Sequence, residues 1–167
     1  MKSRPDRPLT AVCNSAPRAC AALLLLLVAC AHADSEILNA DVSQDTINRT
    51  ICVIGYTASV RPAASYTNGV KAMLLKRAGL AHSDSSAYQL DHTLPLGLGG
   101  HPRKLANLKL QPIHEAKRKD RIERKLQCLV CAGQVSLADA QHDILNDWQA
   151  ALHRYARVKC QRHSEDD

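Results

Sequence analysis

Aromatic residues are scarce in this chain: of 167 residues none is Phe, one is Trp and four are Tyr. That scarcity excludes the stacking platform on which single-stranded bases lie, because such platforms present several ring faces along one groove. It also argues, more weakly, against an elaborate surface for reading base sequence. Nothing in the chain supports a P-loop enzyme or a Ser/His/Asp hydrolase. Internal repeats are missing too, and the length is that of one domain with a modest core.

Long apolar runs are equally rare. Ala19 to Ala29 is the main one, and it is too short to span a bilayer as a stable helix. With Lys2, Arg4, Arg7 and Arg18 ahead of it, it reads as an export leader over residues 1–33. Two exits follow. Leu27-Val28-Ala29-Cys30 reads as a lipobox that makes Cys30 a lipidated first residue and a membrane anchor; Ala31-His32-Ala33 reads as an ordinary cleavage site. The lipobox is favoured because it accounts for Cys30. The expected destination is the periplasm, the outer membrane as a lipoprotein, or the medium.

What is abundant is positive charge. The net charge is +6, and residues 46–163 hold 18 Lys and Arg against 8 Asp and Glu, with acids pushed towards both ends. A basic body fits a polyanionic partner such as DNA or RNA, held through its phosphates.

Residues 34–50 read as a polar tether or a short capping element, and residues 51–163 as a single domain. A short strand is expected from Ile51 into a turn at Gly55, then a helix over residues 65–77 with Tyr66, Val70, Met73 and Leu74 on its apolar face. A Ser-rich connector spans residues 81–87. Strand-like runs follow at residues 88–94 and 105–110, joined by a loop with Gly97, Gly99 and Gly100. After Pro112 the pattern turns helical: Ile122, Leu126 and Leu129 form the apolar stripe, and Lys117, Arg118, Lys119, Arg121, Arg124 and Lys125 fill the wet positions. A last helix opens at Ser136-Leu137-Ala138-Asp139, with Ala140, Ile144, Trp148, Ala151 and Tyr155 as its buried stripe.

Asp91 and His92 are adjacent on the first of these strands, so their side chains point to opposite faces. Asn107 lies on the returning strand and His114 on the first turn of the helix. A carboxylate and an imidazole with open positions for water and phosphate suit a catalytic divalent ion. Taken singly, each residue has a structural reading: Asp91 as a turn residue, His92 as a surface histidine, Asn107 as a loop brace.

Taken together, Asp91-His92, the Pro95-Leu96-Gly97-Leu98-Gly99-Gly100 loop, Asn107-Leu108 and a polar residue opening the helix resemble the HNH endonucleases, the ββα-metal nucleases. The segment Cys52-Val53-Ile54-Gly55-Tyr56-Thr57-Ala58-Ser59-Val60-Arg61-Pro62 resembles a secreted bacterial branch of that family. The resemblance covers about Ile51 to Trp148. It implies an α+β fold, mostly helical, with a small ββα-metal (HNH-like) core, flanking helices and disulfide staples.

The activity implied is metal-dependent hydrolysis of DNA, with RNA as a second substrate class and little sequence preference. His92 is then the general base and Asn107 the residue that fixes its ring. Asp91 and His114, with Glu115 as the rival of His114, hold one Mg²⁺ or Mn²⁺; Zn²⁺ or Ni²⁺ also suits such a mixed site. Arg61, Lys117, Arg118 and Arg121 are the expected phosphate contacts. A toxin or defence nuclease of this kind would need an immunity protein as partner. The alternative is a non-catalytic nucleic-acid-binding or structural envelope protein on the same scaffold.

Beyond the leader, Cys52, Cys128, Cys131 and Cys160 form an even set that suits an oxidising compartment. Of the three connectivities, Cys52 with Cys131 and Cys128 with Cys160 is the expected one, the first bridge tying the Cys-Val-x-Gly-Tyr segment to the ββα helix. The rival is a zinc site at Cys128-Leu129-Val130-Cys131, which a lone CxxC supports weakly.

Overall fold

The structure, a computed structural model, describes residues 36–161. The expected leader, with its Cys30 lipobox and Ala33 cleavage site, lies outside the described residues. Helices dominate: α1 (Tyr56–Val60), α2 (Ala64–Arg77), α3 (Ile113–Cys131) and α4 (Leu137–Arg154) accompany an antiparallel hairpin, β1 (Tyr88–His92) and β2 (Leu108–Pro112), on which α2 and α3 pack. The fold is thus mixed helix and sheet, as expected, with the hairpin running straight into α3.

In the hairpin Tyr88 pairs with Pro112, Leu90 with Leu110, and Asp91 with Lys109. The returning strand starts three residues later than its β-propensity suggests, because Leu105–Asn107 forms a 3-10 turn. The Asn107 side chain draws that turn inward by bonding the Leu94 backbone. Proline has no N–H for the ladder, so Pro112 closes the strand and starts α3.

Helix α3 buries Ala116, Ile122, Leu126, Leu129 and Val130, an apolar stripe at helical spacing. Ile122, Leu126 and Val130 join Leu137, Ala140, Ile144 and Ala151 of α4 in the main core. Ser136 caps α4 by accepting from the Asp139 amide at 3.0 Å. The helix kinks at Asp147 (φ −158, ψ 92), whose Oδ1 accepts from the amides of Gln149 and Ala150 and so caps the segment beyond the kink.

Two expectations are corrected. No strand begins at Ile51: residues 50–55 form turns, Gly55 reverses the chain at φ 85, and α1 follows. Nor are residues 36–50 a tether. Val42 and Ile47 enter the core, and Leu38 bridges to Gly100, since apolar side chains spaced among polar ones find a shared face there.

Two disulfides staple the domain, Cys52–Cys131 and Cys128–Cys160. The first ties the Thr50–Gly55 turn to the end of α3; the second ties the chain after α4 to the same helix. Cys128 and Cys131 are committed to different partners, so the zinc reading is overturned. Disulfides suit an oxidising compartment. Among the described residues, no helix is long and apolar enough to cross a membrane.

Candidate active site

The end of β1, the loop after it and the flank of α3 enclose a polar cavity of about 380 Å³. Asp91 and His92 line it from the strand, Asp120, Glu123 and Arg124 from α3, and Thr57 and Arg61 from α1 and its C-terminal cap. A second hollow of about 490 Å³ lies alongside and shares Arg61, Gln89, Leu90 and His92 with the first. His92 and Arg61 therefore stand where the two meet.

The imidazole of His92 is anchored at one nitrogen. Its Nε2 lies 3.1 Å from the carbonyl oxygen of Pro102. A carbonyl only accepts, so Nε2 carries the proton and Nδ1 of the neutral ring keeps its lone pair. Burial lowers the His92 pKa below the ordinary histidine value, against the upward pull of the Pro102 bond and of Asp91. The ring is thereby held in the form that can take a proton.

Asn107 follows its structural reading as a loop brace and not the ring-fixing role that the resemblance implies. Fully buried, it accepts from the Leu94 amide at 2.8 Å and donates to the carbonyls of Leu94 and His101, each at 3.0 Å. It braces the loop and does not bond the His92 ring; a side chain that serves both the N–H and C=O of Leu94 is turned into the loop. Its effect on His92 is indirect, because the loop it braces carries Pro102. Gly100 makes that brace possible, since a Cβ there would lie 1.8 Å from the Leu94 oxygen.

Asp91 is 7% exposed and its Oδ2 accepts from Lys119 Nζ at 3.1 Å. The same ammonium reaches Glu123 Oε1 at 2.5 Å and the His92 carbonyl oxygen at 2.7 Å. At 1% exposure Lys119 lies within the buried stripe of α3, contrary to its expected place on the wet face. Glu123 is pushed above the usual carboxylate range by burial, although Lys119 draws it down. Lys109, opposite Asp91 in the hairpin, is lowered by burial and then by Lys119.

Of the two metal ligands that the resemblance implies, Asp91 lines the cavity and His114 does not. The His114 side chain stands 75% exposed at the start of α3, with its Nε2 4.0 Å from Glu115 Oε1, and does not line the cavity. The first turn of α3 faces solvent there, whereas Asp91 faces the buried flank one to two turns later. Among the described residues, no three His, Cys, Asp or Glu side chains converge on one point for an ion. With Asp91 paired to Lys119 and His114 exposed outside the cavity lining, no chemistry is derived through an Asp91–His114 ion.

The expected phosphate contacts separate as well. Arg61 is exposed and lines both hollows at His92. Lys117 is exposed on the outer face of α3. Arg118 instead stacks over Trp148, 5.5 Å from its ring centroid, and Arg121 lines a separate hollow with Leu152 and Tyr155. Arg124, not singled out from the sequence, is the α3 cation at the cavity. Lys119 and Glu123 also went unrecognised as site residues; the available signal was a Lys at a core-stripe position with Glu four residues on.

Compared with known proteins, the chain matches no family model, no curated protein and no solved structure.

Proposed function

We propose that this is an exported hydrolase of nucleic-acid phosphodiester bonds on an HNH-like strand–strand–helix scaffold, with His92 as its general base. The observation that carries the reading is the anchored, neutral imidazole of His92 beside a cavity with Arg61 and Arg124 among its lining. Water at Nδ1 would give up its proton to that nitrogen as it attacks phosphorus. Arg61 and Arg124 attract the phosphate and offset its charge, a task suited to guanidinium groups. The order of hairpin and helix, the Asp91-His92 pair at the strand end and the basic surface all support it.

The substrate class is DNA, with RNA second, engaged through phosphates and with little base preference. The expected leader and the two disulfides support export. Supercoiled plasmid incubated with the disulfide-intact protein and with His92→Ala tests the proposal, with and without EDTA so that the divalent-ion requirement implied by the resemblance is read in the same gel. Nicking by the wild type and none by the folded variant is expected. Intact plasmid in every lane removes the hydrolase reading and leaves the non-catalytic binding protein.

A further inference from the structure

A buried lysine with three acceptors of its own is unusual enough to need a reason. Lys119 Nζ has three N–H donors, and each meets an acceptor: Asp91 Oδ2, Glu123 Oε1 and the His92 carbonyl oxygen. Two carboxylates from different elements thus converge on one positive charge at the wall of the cavity, beside the residue that carries the imidazole. Oxygen donors from carboxylates and a backbone carbonyl are also what hard divalent ions take. The ammonium holds that set already.

We propose that Lys119 is the resident cation of this site, occupying the position between Asp91 and Glu123 that a divalent ion would otherwise take, and positioning the His92 peptide against α3. The chemical consequence for the hydrolase reading, on which this part rests, concerns charge. Asp91 and Glu123 without compensation would repel an incoming phosphate. With Lys119 between them that repulsion is reduced, and Arg61 and Arg124 offset what remains of it together with that of Asp120.

Because all three of its protons are engaged, Lys119 is a positioning residue and not a group that touches substrate. Removing its charge while keeping its bulk leaves two carboxylates with no cation. A divalent ion then becomes a ligand of the folded state and stabilises it by mass action.

Binding, not turnover, reads this out, so its failure is distinguishable from failure of the hydrolase reading. Thermal unfolding of wild type and Lys119→Met is followed with and without millimolar Mn²⁺. The expected result is a lowered melting temperature for Lys119→Met that Mn²⁺ raises by several degrees, and no Mn²⁺ effect on wild type. Adding Asp91→Asn to Lys119→Met should abolish the Mn²⁺ effect. Should Lys119→Met not fold with or without Mn²⁺, titration of wild type and Asp91→Asn with Mn²⁺ decides alone. Saturable 1:1 binding by wild type that Asp91→Asn removes would overturn the proposal; no such binding supports it. A folded Lys119→Met whose melting temperature ignores Mn²⁺ also overturns it.

Discussion

Lys119 and His92 are joined through the backbone: the lysine ammonium donates to the His92 carbonyl oxygen at 2.7 Å, while the imidazole of His92 is held separately by Pro102. One residue thus has its peptide fixed from the helix side and its ring fixed from the loop side. Cutting a buried pair by removing one partner strands a charge, at a cost of about 3–5 kcal/mol. Lys119→Ala is expected to lose stability on that scale in urea unfolding. A loss below about 1 kcal/mol would mean that the cluster is hydrated and that Lys119 does not hold the site.

Asn107→Ala should destabilise by about 2–4 kcal/mol, since two buried groups and one half-buried carbonyl lose their partner at once. It should also slow nicking, because the loop it braces carries the Pro102 carbonyl. Gly100→Ala should be worse, with its Cβ driven into the Leu94 oxygen. Unfolding midpoints and plasmid nicking by the purified variants check both. An Asn107→Ala protein with full activity and a wild-type midpoint would contradict the bracing role.

The rate should depend on pH through the neutral form of His92. Burial lowers its pKa, so the base form persists to lower pH than for a free histidine, whose value is about 6.5. Activity is expected to rise with pH along a limb whose midpoint lies below that value and to be level through neutrality as far as His92 sets it. A limb centred at or above about 6.5 in the kcat/KM profile, which reports the free protein, would place another group in the role.

Much of the scaffold was legible because local patterns and packing agree. The helix after Pro112 and the α4 cap at Ser136 follow from short-range chemistry, and the even set of four cysteines follows the arithmetic of two bridges, whose partners lie 79 and 32 residues apart. The placement of Asp91 and His92 together at a cavity was legible, and that of the other expected residues only partly. Asn107 is a loop brace because its partners lie in the Leu94 and His101 backbone, which no spacing rule reveals. Lys119 sits among five other basic residues between Lys117 and Lys125, so composition hides it; only the angular position on the helix separates it from its solvated neighbours. His114 and Glu115 lie at the helix start, where one turn more or less decides whether a side chain meets Asp91 or solvent.

Arg61 and Arg124 should each account for roughly one counterion released on binding duplex DNA. Arg61→Ala and Arg124→Ala are therefore expected to flatten the slope of log K against log salt by about 1 each, across unrelated sequences alike. Arg118→Ala, whose guanidinium is stacked on Trp148, should change that slope less. Fluorescence anisotropy over a salt series measures this, and unchanged slopes for Arg61→Ala and Arg124→Ala would remove them from the phosphate path.

The Cys52–Cys131 bridge closes a loop of 79 residues around α1, α2 and the hairpin. Its removal by a double Ser substitution should cost about 2–5 kcal/mol in equilibrium unfolding. A variant as stable as wild type would show that the Thr50–Gly55 turn is held by packing alone.

The most direct measurement is the initial rate of plasmid nicking by wild type and by His92→Ala, at equal concentration and with matching circular dichroism spectra. Removing a general base typically costs about 10²–10⁴-fold. A wild type that nicks, with a variant at least about a hundredfold slower, is the expected result. Equal rates from two folded proteins would contradict the assignment of His92 as the base.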